Sequence, residues 1–151
     1  PLFSPQSLLA EGSANYGIDL AFPSARKAEY EARVLSPIAG LPAGEVARYD
    51  ALLDAIRDLG PARNNIAQQL LDGQIDEAQA VRLTQKYQLV AEARAKQSVA
   101  FTKQYRSYVI NYNIGREMVA MDVERFATPR ERWARMKQLL SEPTLPSDLQ
   151  R

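Results

Sequence analysis

The chain has 151 residues, a formal net charge of +1 and 25% charged side chains, a balance that gives no reason to expect a nucleic-acid partner. It contains no cysteine and no histidine, which excludes disulfide scaffolds, thiolate metal sites and histidine-based catalysis within these residues. No apolar run approaches the roughly 20 residues that span a bilayer, and no targeting pattern indicates a compartment.

The first predicted helix covers residues 4–22, with Ser4 as its N-cap and a proline directly after its end. Apolar and small residues recur along one face of this helix. Glu11, Asn15 and Asp19 recur every four residues and therefore share another face. A carboxylate followed one turn later by a carboxamide is unusual on a core helix, so this face is the first candidate for a functional site.

Most of the remaining sequence also predicts helices with short links. Ser24 is expected to cap the second of them, and Ser36-Pro37 to interrupt it. Residues 92–111 lack proline and glycine and are predicted to form the longest helix, whereas the tail is predicted to be extended. The other predicted helices cover residues 45–59, 61–72, 116–126 and 129–140, and one more begins at Asp76-Glu77, carries its apolar pattern to Tyr87 and can continue from Val90 onward.

No segment shows the strict alternation of a half-buried strand. The sequence therefore predicts an all-α fold, an antiparallel bundle of about six or seven helices that forms a single helical domain over residues 1–151. The chain starts at Pro1, without an initiating methionine, and enters a helix pattern at once. This favours a segment cut from a longer polypeptide, and trimming after synthesis is the alternative.

Glu11 is the first candidate for chemistry. Zinc in a hydrolase takes three protein ligands and keeps one open position, and a helical carboxylate can be one of those ligands. Asn15, one turn on, could hold a ligand histidine through its other ring nitrogen. The alternative is that both side chains lie on the solvated face of an amphipathic helix.

A second candidate cluster lies in residues 105–117. Tyr105, Tyr108 and Tyr112 follow the three- and four-residue step of one helix face, beside Arg106. Phenols and a guanidinium that converge on a cleft could bind a carboxylate or stabilise an oxyanion. The alternative is a set of amphipathic core aromatics. The Asn113–Gly115 stretch that follows predicts a kink or a close backbone approach.

The last predicted helix carries several arginines and lysines that alternate with glutamates. This pattern indicates a solvated face rather than a phosphate-binding patch. Its Met and aromatic positions, Met136 and Trp133, are expected to lie in the core, and Leu140 falls on the same side of the helix.

On two of these motifs the chain resembles the C-terminal part of bacterial zinc metallopeptidase-like proteins from a domain-of-unknown-function family. Those proteins carry a first helix of the HExxxGHH kind and a second with a Glu-Gly-x-Ala-x-Tyr-like motif, whose Glu is the third zinc ligand. The stretch Glu11–Tyr16 departs from the usual order by one position but keeps Glu, Gly, Ala and the aromatic. Tyr112–Gly115 matches the family's later Tyr-x-x-Gly segment.

The resemblance implies that Glu11 is a zinc ligand and that Tyr112 contacts a peptide substrate; Arg106 and Tyr108 lie near it but match no motif. Since this chain has no histidine, two ligands and the general base would come from the upstream part of the same polypeptide. We therefore expect the parent protein to hold zinc and the isolated chain to hold none tightly. The alternative function is a non-catalytic helical binding or scaffolding module.

Overall fold

The computed structural model describes residues 4–23 and 25–150, so the predicted cap Ser24 lies outside the described residues. The described residues contain helices and turns but no strand, and the predicted all-α fold is confirmed. The chain divides into two compact units, one formed by residues 1–46 and 110–151 and the other by residues 47–109. That these residues form a single helical domain stays a prediction.

The α-helices, in chain order, are α1 (Gln6–Ala21), α2 (Ala25–Tyr30), α3 (Ser36–Ala39), α4 (Val46–Asp58), α5 (Gly60–Leu71), α6 (Glu77–Gln88), α7 (Glu92–Tyr105), α8 (Ile114–Glu124) and α9 (Pro129–Ser141). A π-helical segment, Glu31–Leu35, joins α2 to α3, and 3₁₀ segments cover Ala43–Glu45, Arg106–Asn111 and Pro146–Gln150. The last of these corrects the predicted extended tail in part: residues 143–145 are not helical, but a short 3₁₀ segment begins at Pro146.

The start of α1 differs from the prediction. The residue before the helix is Pro5, which makes no side-chain cap. The Ser4 backbone N–H donates to Ser7 Oγ at 3.4 Å, and no side chain caps the start of α1. The predicted role of Ser4 as N-cap is therefore wrong, although the helix itself spans almost the predicted range.

The helical path continues through Ser36-Pro37, where the sequence predicts an interruption. In the π-helical segment the Ser36 N–H donates to the Glu31 carbonyl, five residues back. In an α-helix the ring of Pro37 would clash with the carbonyl four residues earlier. The wider π turn relieves that clash, so the path ends only at Gly40, which has a positive φ of 67°.

Helices α1, α8 and α9 pack together in the first unit. The apolar stripe predicted for α1 is buried there, but the prediction for α9 is only partly right. Met136 is buried, whereas Trp133 and Leu140 are exposed because α9 turns Leu139 inward instead. The buried cluster consists of Leu9, Tyr16, Val119, Val123, Met136, Leu139 and Leu149.

Helices α5, α6 and α7 pack together in the second unit. Asp76 caps α6 with a full capping box, in which its carboxylate accepts from the Gln79 N–H at 2.6 Å. Helix α7 ends at Tyr105, so it has 14 residues and is shorter than the 16 of α1. The predicted helix to residue 111 is therefore wrong. The buried cluster consists of Ile66, Ala80, Val81, Ala95 and Val99.

Helix α4 forms where its amphipathic pattern predicts a helix, but none of its residues is buried. Tyr49 and Leu52, on its apolar stripe, remain 58% and 50% exposed. The periodicity thus predicted the helix correctly and did not determine whether its stripe is covered. Among the described residues, no helix combines the length and the apolar character that crossing a bilayer requires.

Candidate functional site

Glu11 and Asn15 lie one turn apart on α1, as the sequence predicts. Glu11 is half-buried and Asn15 is exposed. The Asn15 side-chain Nδ2 donates to the backbone carbonyl of Glu11 at 2.8 Å. This hydrogen bond fixes the amide against its own helix, so its nitrogen is turned toward the backbone and its oxygen away from it.

The residue after Glu11, Gly12, makes a close contact with another helix of this unit. A Cβ atom placed on Gly12 would lie 2.4 Å from the Gly115 carbonyl oxygen on α8. A Cβ on Gly115 would lie 2.7 Å from the Leu8 carbonyl oxygen. Both positions therefore exclude any side chain, and α1 and α8 touch backbone to backbone. The backbone approach predicted around Gly115 is confirmed.

Tyr112 lies in the turn just before α8 and is half-buried. Asn113 begins that helix, and its side-chain oxygen accepts from the Ile114 N–H at 3.1 Å. The glycine contact therefore joins the two motifs singled out in the sequence, since Gly12 follows Glu11 directly and Gly115 lies three residues after Tyr112.

Two further contacts tie α1 to its neighbours. Arg116 Nη2 donates to Asp19 Oδ2 at 2.5 Å, so the third polar residue on the Glu11 face forms an ion pair with α8. Tyr16, the aromatic of the Glu11–Tyr16 motif, is 2% exposed. Burial, together with the negative charge of Glu124, to which its phenol donates, raises the pKa of Tyr16 above its ordinary value. Its role in this unit is to pack the core.

Arg106 and Tyr108 belong to the second unit. Tyr108 lies in an aromatic cluster, whereas Arg106 is exposed. Tyr108 is half-buried and packs edge-on against Phe101, with ring centroids 6.5 Å apart, and against Tyr105 at 6.3 Å. This is the aromatic cluster that the alternative interpretation predicts. Arg106 is exposed and has φ 53° and ψ −124°, a conformation that residues with a Cβ rarely adopt.

The strain at Arg106 leads to a stability prediction. Arg106→Gly is expected to raise the free energy of unfolding by about 1 kcal/mol, because glycine adopts a positive φ without steric cost. Gln104→Gly, within the last turn of α7, is the control and should lower it by about 0.5–1 kcal/mol. Urea unfolding followed by circular dichroism measures both. A loss of stability in Arg106→Gly as large as in the control would contradict the strained conformation.

The first unit also contains a buried carboxylate that belongs to neither of the two candidate clusters found in the sequence. Asp122 on α8 is 0% exposed. Its carboxylate accepts from Arg135 Nε of α9 at 2.6 Å and also forms an ion pair with Arg125. The signal available in the sequence was a carboxylate at a core position with an arginine three residues later. The arrangement joins α8 to α9 by charge, in addition to the apolar packing of the buried cluster.

The described residues contain no group of three or more histidine, cysteine, aspartate or glutamate side chains that could hold a metal ion. Glu11 is thus considered as a single ligand. Comparisons with protein-family models, with curated proteins and with solved structures find no match to this chain.

Proposed function

We propose that this chain is the C-terminal helical segment of a zinc-dependent peptidase-like protein. In this proposal it supplies Glu11 as the third metal ligand and Tyr112 as part of the substrate cleft. The observation that carries the proposal is the contact between Gly12 and Gly115. It joins the Glu-Gly motif of α1 to the Tyr-x-x-Gly motif before α8, which are far apart in the sequence and would have to meet to serve one site.

The donor atoms of this chain fit one position of such a site. Glu11 is half-buried on a helix fixed by its backbone contact with α8, and carboxylate oxygen is a ligand that zinc accepts. The chain contains no histidine, so the other two ligands and the general base would come from the upstream part of the same polypeptide. The proposal therefore assigns the metal to the parent protein.

Bound zinc would supply a water of lowered pKa for attack on an amide carbonyl. Each residue of this chain would have a narrower task. Glu11 would hold the metal, and the Asn15 amide oxygen, on the side away from its own backbone bond, would accept an N–H from a ligand histidine and fix that ring. Tyr112 would donate a hydrogen bond to a substrate oxygen. Arg106 and Tyr108 stay predictions as substrate contacts.

Removal of the Glu11 charge tests the proposal through zinc affinity. In the complete polypeptide, Glu11→Gln should weaken zinc binding by about 100-fold or more, because even the groups that merely orient a ligand are worth 10–100-fold. The measurement is zinc content after dialysis, together with competition against a chromophoric chelator. Glu29→Gln, at an exposed carboxylate of the same unit, is the control and should bind zinc like the wild type. Equal affinity in both variants would remove Glu11 from the metal.

A non-catalytic helical binding or scaffolding module is the second candidate. The observation that favours it is α4, whose amphipathic sequence leaves Tyr49 and Leu52 at least half exposed and none of its residues buried. A helix face of this kind is typical of a surface that another polypeptide covers. A complete polypeptide that binds no zinc at all, with or without Glu11, would favour this function over the first.

A further inference from the structure

An open groove of about 370 Å³ lies in the first unit, between the end of α1 and the helical path of α2 and the π-helical segment. This volume is at the small end of the range of ligand pockets, which runs from roughly 300 to 1,000 Å³. The groove shares no residue with the Glu11 motif or with the Tyr112 segment. Its lining includes Phe22, Arg26, Glu29, Tyr30, Arg33 and Val34.

One wall of the groove is aromatic. The rings of Phe22 and Tyr30 have centroids 5.1 Å apart and planes tilted by 33°. Tyr30 and Val34 remain 41% and 37% exposed. The wall therefore presents apolar surface against which a flat apolar group can pack.

The groove also carries positive charge, from two arginines on the helical path of α2 and the π-helical segment. Arg33 Nη1 is paired with Glu29 Oε1 at 2.9 Å. Arg26, one turn before Tyr30, makes no side-chain hydrogen bond or ion pair with any described residue. The groove thus holds one guanidinium, that of Arg33, that is neutralised by Glu29, and one, that of Arg26, that has no partner among the described residues. One such positive charge suits an anion with a single negative charge. The Glu29 carboxylate disfavours a second negative charge.

The backbone at this place is unusual as well. Arg33 and Val34 belong to the π-helical segment Glu31–Leu35, and such segments inside α-helices occur frequently at functional sites. Successive residues of a π turn are separated by a smaller rotation than those of an α-helix. The segment therefore keeps Arg33 and Val34 on the groove together.

We propose that this groove binds a small monocarboxylate with a flat apolar body, either a free aromatic acid or the C-terminal residue of a peptide that ends in an aromatic side chain. The carboxylate pairs with the Arg26 guanidinium, whose two parallel N–H groups match two carboxylate oxygens. The apolar body lies against Phe22 and Tyr30. Inorganic phosphate binds more weakly, because it lacks the apolar body and places more charge near Glu29.

A nuclear magnetic resonance titration of the full chain with 3-phenylpropionate tests this assignment. We expect saturable shifts at the amides of Phe22, Arg26 and Tyr30. The neutral 3-phenylpropionamide and inorganic phosphate should each bind roughly tenfold more weakly or worse, because each loses one of the two interactions. Arg26→Gln should weaken 3-phenylpropionate by a similar factor. Arg48→Gln, at an exposed arginine of α4, is the control and should leave the affinity unchanged.

A second arm distinguishes the two sources of the carboxylate. The tripeptide Gly-Gly-Phe with a free C-terminus is compared with its C-terminal amide and with 3-phenylpropionate. Tighter binding of the free peptide than of the simple acid assigns the groove to peptide C-termini, and the reverse order assigns it to free aromatic acids. The proposal is overturned if neither acid saturates these amides, if Arg26→Gln binds like the wild type, or if phosphate competes on equal terms.

Discussion

Asp122→Asn is expected to lower the free energy of unfolding by about 3 kcal/mol, at the low end of the range for a broken buried ion pair. The substitution keeps the shape of the side chain and removes its charge from a site that is 0% exposed. Arg135, with a side chain only 17% exposed, is then left without its buried counter-charge. Arg125 is 47% exposed and can turn toward solvent, and for this reason we expect the lower value.

Urea unfolding with tryptophan fluorescence measures this effect, because the one tryptophan of the chain, Trp133, lies on α9 in the same unit. Glu29→Gln removes an ion pair whose side chains are 63% and 75% exposed, and it should change stability by no more than about 0.5 kcal/mol. In a double-mutant cycle, Arg135→Gln should cost much less in the Asp122→Asn background than alone. Additive effects, or an Asp122→Asn variant as stable as the control, would contradict a buried pair between α8 and α9.

The buried carboxylate also shows why periodicity predicts a helix better than it predicts the burial of each position. In residues 116–126 the three- and four-residue spacing of apolar side chains allows either Met121 or Asp122 to face the core, since the two are neighbours. The structure buries Asp122 and leaves Met121 72% exposed. Arg125, three residues later, and Arg135 of α9 both pair with this carboxylate, and the pattern of one helix does not show that α9 brings Arg135 to this point.

The ends of the helices were predictable where a local signal determines them. The capping boxes at Asp76 and Thr128 and the positive φ of Gly73 follow from short motifs, and the structure has each of them. The end of α7 has no such signal, because Arg106 is neither glycine nor proline. A positive φ at an arginine depends on tertiary packing, so the sequence predicted a helix that continues.

The candidate site, too, was predictable only in those features that residues close together in the sequence determine. The four-residue spacing placed Glu11 and Asn15 on one face, and Gly115 suggested a close approach. The partner of that approach, Gly12, lies in a helix far away in the sequence. Local spacing does not show which groups lie against the Glu11 face in the folded protein. The zinc assigned to this face is therefore a proposal.

Gly12→Ala is expected to lower the free energy of unfolding by about 2 kcal/mol. The new Cβ atom would lie 2.4 Å from the Gly115 carbonyl oxygen, and a backbone atom cannot turn aside as a side chain can. Helices α1 and α8 must therefore separate, and overpacking of this kind costs roughly 1–3 kcal/mol. Alanine at a helix-interior position contributes up to about 1 kcal/mol in the opposite direction. We expect the steric cost of separating the two helices to exceed this gain in helix propensity.

Gly17→Ala is the matched control, because Gly17 lies in the same helix and a Cβ there would meet nothing within 4 Å. It should be stabilising by about 0.5–1 kcal/mol through helix propensity alone, so the two alanines should change stability in opposite directions. Gly115→Ala should resemble Gly12→Ala. The double variant should lose less than the sum of the two, since helices already pushed apart by one methyl group leave room for the other. Equal stability of Gly12→Ala and Gly17→Ala would mean that α1 and α8 do not touch backbone to backbone, and the Glu11 and Tyr112 motifs would then lose the contact that joins them.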